Sequence, residues 1–389
     1  MLIVRTAFKN IIAGGKRTWL NVAVLSFAFV LMVLYNGFSD GWMDNARYET
    51  ENWETGAGQL WHPGYDRYDI FSLQDAHGAP PKEVLPFIAD GSMTPILVVQ
   101  GVIYPQHRMQ NILLKGIDPN QNIVEIPSAQ LLSKDDELAA AIGKRTAKSA
   151  NLNVGDIVML RWRDRAGVFD AKEITIVTVF DTKVSSADVG QVWLNLDDLQ
   201  QMTGMEGEVT YIVKSDECSL QDNSSSWIYR DLKFLMADLD AMAQGERIEE
   251  TIIFIVLLSI ALLAVFDTQI LSIFRRQREI GTYVALGMTP WRVAALFTIE
   301  GTNYSLLAIV AGALWGTPIL AWMGRVGIKV PGLVDDMGVA VGDAIYPVYN
   351  IFSIVTIMAV IVLLSAVISF IPARRIAKQN IVDALKGKI

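Results

Sequence analysis

Four apolar runs, each long enough to cross a bilayer, constrain this chain more than any other feature. They fall at residues 19–38, within a first span of 19–40, at 251–274 with only Asp267 breaking it, at 293–324 with Glu300 near its start, and at 344–373 without a charge. A helical crossing needs about 20 mainly apolar residues, and only helices or closed barrels satisfy their backbone inside lipid. Charged residues make up 19% of the chain, below the roughly one quarter usual in soluble domains. The reading is a multi-pass membrane protein. The first run exceeds the apolar core of a signal peptide, about 7–15 residues, and no A-x-A site follows it, so it is expected to remain as a span.

Charge placement gives the orientation, because Lys and Arg favour the cytoplasmic side of a span. Residues 1–18 carry Arg5, Lys9, Lys16 and Arg17. Val4, Phe8, Ile11 and Ile12 fall on one helical face there, which reads as a cytoplasmic interfacial helix. The 275–292 segment carries Arg275, Arg276, Arg278 and Arg292, and the 374–389 tail carries Arg374, Arg375, Lys378, Lys386 and Lys388. Residues 41–250 instead hold 18 Lys/Arg against 33 Asp/Glu. Both termini and the 275–292 segment are therefore expected in the cytoplasm, and 41–250 and 325–343 outside.

The large exterior segment reads as a mixed α+β domain. "ILVVQGVIYP", "NILLKGI", "DIVMLRW", "EITIVTVF" and "EVTYIVK" are short runs rich in β-formers. "NLNVGD" and "TGMEGE" are turn signals. "AQLLSKDDELAAAIGKRTAKSANL" reads as helical, and "NLDDLQQMTG" as a short helix ending at Gly204. Met43, Ala46 and Trp53 at one end, and Leu232, Leu235 and Leu239 at the other, have helical spacing. They read as stalk extensions of the first two spans, packed through narrow apolar seams. Cys218 has no partner for a disulfide. His62, His77 and His107 share no metal-ligand spacing and read as scattered surface residues, so no metal is expected. In the third run Ala308, Gly312 and Gly316 form a small-residue face suited to close packing against a helix or a second subunit.

The segment between the second and third runs is short, basic and half apolar. Its arginines suit an anionic inner leaflet, and its apolar residues lie close to helical spacing. "REIGTYVALGMTPWRVAALFTIEG" resembles the R-E-I-G-x-x-x-A-L-G signature of permeases of the MacB, LolC/LolE and FtsX type. "PARRIAKQNIVDAL" resembles that family's tail, matching at Pro372, Ala373, Arg374, Ala377, Ala384 and Leu385 and departing at Ile376 and Ile381. "IGKRTAKSANLNVGDIVMLRW", "ITIVTVFDT" and "VWLNLDDLQQMTG" are more weakly similar to the LolC/LolE branch.

The resemblance implies an ABC transporter subunit of the mechanotransmission type. It implies that Arg278, Glu279, Ile280, Gly281, Ala285, Leu286 and Gly287 form a coupling helix on a cytoplasmic ATPase, with Gly281 small so that a partner backbone can approach. The chain has no G-x-x-x-x-G-K-[ST] motif. It is thus expected to be non-catalytic, with ATP and Mg bound by a separate ATPase dimer. Further expected partners are a second permease, self or paralogue, a periplasmic or outer-membrane protein, and membrane lipids, but no nucleic acid. The expected location is a bacterial inner membrane. The expected role is ATP-driven movement of the exterior domain for lipoprotein release. Rival readings are MacB-like efflux from the periplasm, FtsX-like control of a cell-wall hydrolase, and a soluble-ligand receptor without an ATPase.

Overall fold

A computed structural model describes residues 16–132, 138–218, 226–328 and 344–377. The expected interfacial helix, most of the 325–343 loop and the tail beyond Ala377 lie outside the described residues. In chain order the elements are α1 (Lys16–Thr50), a one-turn π-helix (Glu51–Thr55), β1 (Gly58–Trp61), α2 (Leu85–Ala89), β2 (Met93–Ile103), β3 (Gln110–Ile117), β4 (Leu138–Gly143), α3 (Lys144–Ala150), β5 (Ile157–Arg163), β6 (Phe169–Phe180), α4 (Ser185–Asp188), β7 (Gln191–Asn195), α5 (Leu196–Thr203), β8 (Tyr211–Lys214), β9 (Ile228–Asp231), α6 (Leu232–Leu235), α7 (Ala237–Arg275), α8 (Gln277–Ala285), α9 (Pro290–Val326) and α10 (Ile351–Ala377). The described residues divide into a helical unit and a sheet unit, the latter comprising 43–241.

Among the described residues, four helices are long and apolar enough to cross a membrane: 19–55, 237–275, 290–326 and 351–375. In the helical unit, Val22, Leu25, Phe29 and Val33 of α1 pack with Leu258 and Val265 of α7, Tyr304 and Ala308 of α9, and Ile357 and Ile361 of α10. Glycines set how closely these elements approach. A Cβ on Gly37 would lie 2.5 Å from the Tyr349 ring, and one on Gly41 2.2 Å from the Tyr346 carbonyl oxygen.

Among the described residues the sheet unit holds nine strands in the order β3-β7-β4-β6-β5-β2-β8-β1-β9, with β3 also paired to β2. That extra pairing closes six strands into a ring and leaves β8, β1 and β9 as an extension. β3–β7 and β4–β6 are parallel, and the remaining pairs are antiparallel. Alternation puts opposite faces of β2 into two cores. Leu97 and Val99 join Leu160, Trp162, Ile174 and Leu194. Ile96 and Val98 join Trp61, Phe180, Trp193 and Tyr211. β5 shows strict in-out alternation, with Val158, Leu160 and Trp162 inward.

Two readings need correction here. "LAAAIG" is strand β4 rather than helix: its alanines have high helix propensity, but a place between β6 and β7 overrides it. The stalk seam is also shorter than its spacing suggested. Met43 and Ala46 are buried on α1, and Arg47 meets Asp240 of α7 at 2.6 Å. Trp53, however, lies on the π-helix and stacks on Phe180, and Leu235 lies in a separate short helix within the sheet core. Leu232 starts that short helix, and half-buried Leu239 alone of the second set lies on α7. The short helix ending at Gly204 is present, with Gly204 left-handed at its C-cap.

Candidate functional site

The α8 helix is a nine-residue segment with defined breaks at both ends. Arg276 leaves helical geometry at φ −103°, ψ 17°, separating α8 from α7. At the other end Gly287 has φ +89°, a conformation that favours glycine. Pro290 then opens α9, where its lost N–H costs no helical bond.

One face of α8 is fixed by its own chain. Ile280 is 3% exposed and packs with Ile273, Val293, Ala294, Phe297 and Ala373. Gly281 and Gln277 are buried as well. This corrects the expectation that Ile280 and Gly281 meet a partner. In the chain itself they face neighbouring helices, and the reason is rotational: they share the inner face of α8 with Gln277. The outer face presents Arg278, Glu279, Thr282, Ala285 and Gly287, with Leu286 at 80% exposed.

A buried ion pair anchors the segment. Arg276 Nη1 donates to Glu300 Oε2 at 3.0 Å, and its Nε donates to Glu279 Oε2 at 2.8 Å. The guanidinium also lies 5.1 Å from the Phe297 ring centroid. Glu300 is 2% exposed, so its charge depends on this partner. Asp267, the other carboxylate within the apolar runs, is exposed.

Close by, Gln269 of α7 and Ser365 and Ser369 of α10 are buried, and their side chains make no hydrogen bond among the described residues. Gly301 is the contact point: a Cβ there would lie 2.0 Å from Ser369 Oγ and 3.0 Å from Gln269 Nε2. Sequence reading missed this polar pocket. Its only signal was one glutamine and two serines inside runs otherwise scored for hydrophobicity. The small-residue face is filled from within the chain. Ala308 lies in the helical core, and Cβ atoms on Gly312 and Gly316 would stand 2.8 Å from Phe29 and 2.5 Å from Val30 of α1.

Residues 251–381 match the family model "FtsX-like permease C-terminal", which takes in α8 and the helices flanking it. The chain is 26% identical over 314 residues to "Lipoprotein-releasing system transmembrane protein LolC" of Xylella fastidiosa strain 9a5c, covering 72% of this chain and 74% of that protein. These matches support membership of the FtsX/LolC type of ABC transporter permease. The permease is also 23% identical over 283 residues to an uncharacterized ABC transporter permease of Methanocaldococcus jannaschii, covering 68% of this chain and 66% of the relative. Membership implies an ATPase partner and pairing of permeases.

In the permease's sheet unit, His77 corrects the reading of scattered histidines. Its Nδ1 faces Glu208 Oε2 at 2.5 Å, its Nε2 faces the Gln74 carbonyl at 3.1 Å, and Arg165 holds the other Glu208 oxygen at 2.6 Å. Among the described residues, no His/Cys/Asp/Glu group is arranged to hold a metal. Cys218 is a buried free thiol. The sheet unit also carries a trough of about 460 Å³ lined by Ile70, Val102, Met109, Arg161, Arg163 and Phe169. Ile70, Met109 and Phe169 are more than half exposed there.

Proposed function

We propose that this permease couples ATP hydrolysis by a separate ATPase, which binds ATP and Mg, to movement of the exterior sheet unit, and so releases lipoprotein from a bacterial inner membrane. The observation that carries the coupling is the division of α8 into two faces. Ile280, Gly281 and the Arg276–Glu300 pair hold one face to α9, while Arg278, Ala285 and Leu286 are left outward. Such a segment is a short lever: pressed from outside, it moves the helix to which its inner face is fixed. Two features support the choice of cargo. The relative covering 72% of this chain is a lipoprotein-releasing subunit. The exterior trough joins apolar walls to two arginines, a surface matched to an amphiphile. Lifting a lipid anchor costs about 0.8 kcal/mol per buried CH₂, which thermal energy does not supply. The excess of Lys and Arg in 1–18, 275–292 and 374–389 supports cytoplasmic termini.

The test is reconstitution with the partner ATPase, in vesicles carrying a triacylated lipoprotein on the leaflet facing the sheet unit. ATP should release the lipoprotein. ATP turnover that responds to a drug or peptide without releasing lipoprotein selects the MacB-like reading, and turnover that only activates a hydrolase selects the FtsX-like one. Leu286→Asp tests the contact directly. A carboxylate buried at the ATPase should weaken binding by about 2–5 kcal/mol and leave the fold intact. Unchanged pull-down of the ATPase would remove Leu286 from the interface.

A further inference from the structure

The first long helix ends in an unusual way. At Thr50 it passes into a single π-turn, Glu51–Thr55, closed by Gly56 at φ +54°. Isolated π-turns recur at functional positions in helices. Here the turn is held by four separate pieces of the sheet unit. The Asn52 carbonyl accepts from Glu125 N at 2.9 Å, and Trp53 stacks on Phe180, at the end of β6, with ring centroids 5.6 Å apart. The Glu54 carboxylate accepts a short hydrogen bond from the Ser186 hydroxyl of α4. Ala57 N donates to the Lys214 carbonyl of β8 at 2.9 Å, and a Cβ on Gly56 would lie 2.6 Å from that oxygen.

Lys115 of β3 lies beside this turn. It is 7% exposed, its ammonium donates to the Ser186 carbonyl at 3.3 Å, and it sits 5.0 Å from the Trp193 ring centroid. Burial pushes its pKa down, and the Glu54 charge opposes that shift. Ser186 thus joins the two charges, its carbonyl on Lys115 and its hydroxyl on Glu54. A buried lysine is a poor way to gain stability, since an apolar residue of similar volume often does as well or better. What the charge adds is a preferred geometry between β3, α4 and the end of α1.

We propose that Lys115, Ser186 and Glu54 are positioning residues that make the end of α1 and the sheet unit one rigid piece, so that movement of α1 is delivered to the sheet and not absorbed at the helix end. This rests on the coupling reading given under Proposed function. The test uses the full chain with its ATPase in vesicles. Lys115→Met keeps the stem and removes the charge, Glu54→Gln removes the counter-charge, and Ser186→Ala removes the bridge. Each should lower lipoprotein released per ATP by about tenfold, the scale of an ordinary coupling energy, while ATP turnover stays near wild type. Ser186→Thr, which keeps a hydroxyl, should restore release. The Lys115→Met/Glu54→Gln double variant should be no worse than the worse single one.

A second measurement separates this proposal from the transport reading. Spin labels at the exposed positions Tyr48 and Asp181 report the joint directly. The distance distribution should be narrow in wild type and broaden in Lys115→Met. If the distribution stays narrow and release per ATP is unchanged, the joint assignment falls. If wild type turns over ATP without releasing lipoprotein, the transport reading falls, while the label distances still decide the joint.

Discussion

Among single residues, Arg276 and Glu300 carry the largest individual consequence. Breaking a fully buried pair costs about 3–5 kcal/mol; loss of Glu300 should cost less than that, because Arg276 keeps its bond to Glu279. Glu300→Ala is therefore expected to lower the melting temperature in detergent and to reduce ATPase association, because α8 loses its tie to α9. The Arg276→Met/Glu300→Leu double variant should recover most of the stability. If Glu300→Ala melts like wild type, the pair holds nothing. His62 supplies a pH dependence in the sheet unit. Burial lowers its pKa, repulsion from His77 lowers it further, and Glu208 opposes both. The folded state therefore prefers the neutral ring. Its full contribution is present above the unfolded imidazole range, near pH 6.5, and is lost as pH falls through that range toward the lower folded value. Melting of the sheet unit should weaken on acidification across that window. His62→Gln, which cannot titrate, should flatten part of the slope, and an unchanged slope would assign the effect to another group.

Elements in the helical unit are spaced by glycine. Gly316 stands where a Cβ would lie 2.5 Å from Val30, a contact that real Cβ atoms do not make without movement. Gly316→Leu should therefore push α9 from α1, at about 1–3 kcal/mol of overpacking strain. Gly316→Ala is milder, and Val30→Ala in the same chain should relieve it. The check is melting temperature in detergent across the two singles and the double. Additive losses would show that these residues do not share a contact. Gly301 has the same role opposite Ser369, which is why two helices can bring buried polar side chains together inside an apolar bundle. β4 shows that an element can also be decided by its neighbours. An alanine-rich run becomes a strand because two strands offer it hydrogen bonds on both edges.

For the whole molecule, two compact units imply two thermal transitions. The sheet unit has its own core, in which Trp162 is 3% exposed and donates from its indole to the Met202 carbonyl at 2.9 Å. Trp162→Ala should cost about 3–5 kcal/mol and move only the transition of the sheet unit in calorimetry. A single transition that shifts as a whole would show the two units to unfold together. The division matches the proposed work of the permease, since a lever in one unit and a reader in the other can be altered separately.

The sequence by itself determined the four long apolar helices, because the length and purity of an apolar run are local properties fixed by bilayer thickness. It also determined the α8 segment, bounded by Gly287 and Pro290, and strands β2, β3, β5, β6 and β8, whose runs of β-branched and aromatic residues mark them locally. Tertiary structure decided what periodicity does not contain. The ring closes only because β3 pairs with β2, a hydrogen-bonded contact between backbone edges that either strand could have offered elsewhere. Trp53 and Leu235 have the spacing of a helix seam, yet they pack into the sheet core because Trp53 lies past the end of α1 and Leu235 before the start of α7. The apolar residues of α8 announced a contact but not with whom. Rotation of the helix against α9 gave Ile280 and Gly281 to the chain's own core and left Leu286 outside. Lys115 and Glu54 are 61 residues apart in the sequence, and nothing local marks either one. Only the folded chain brings the Ser186 bridge between them.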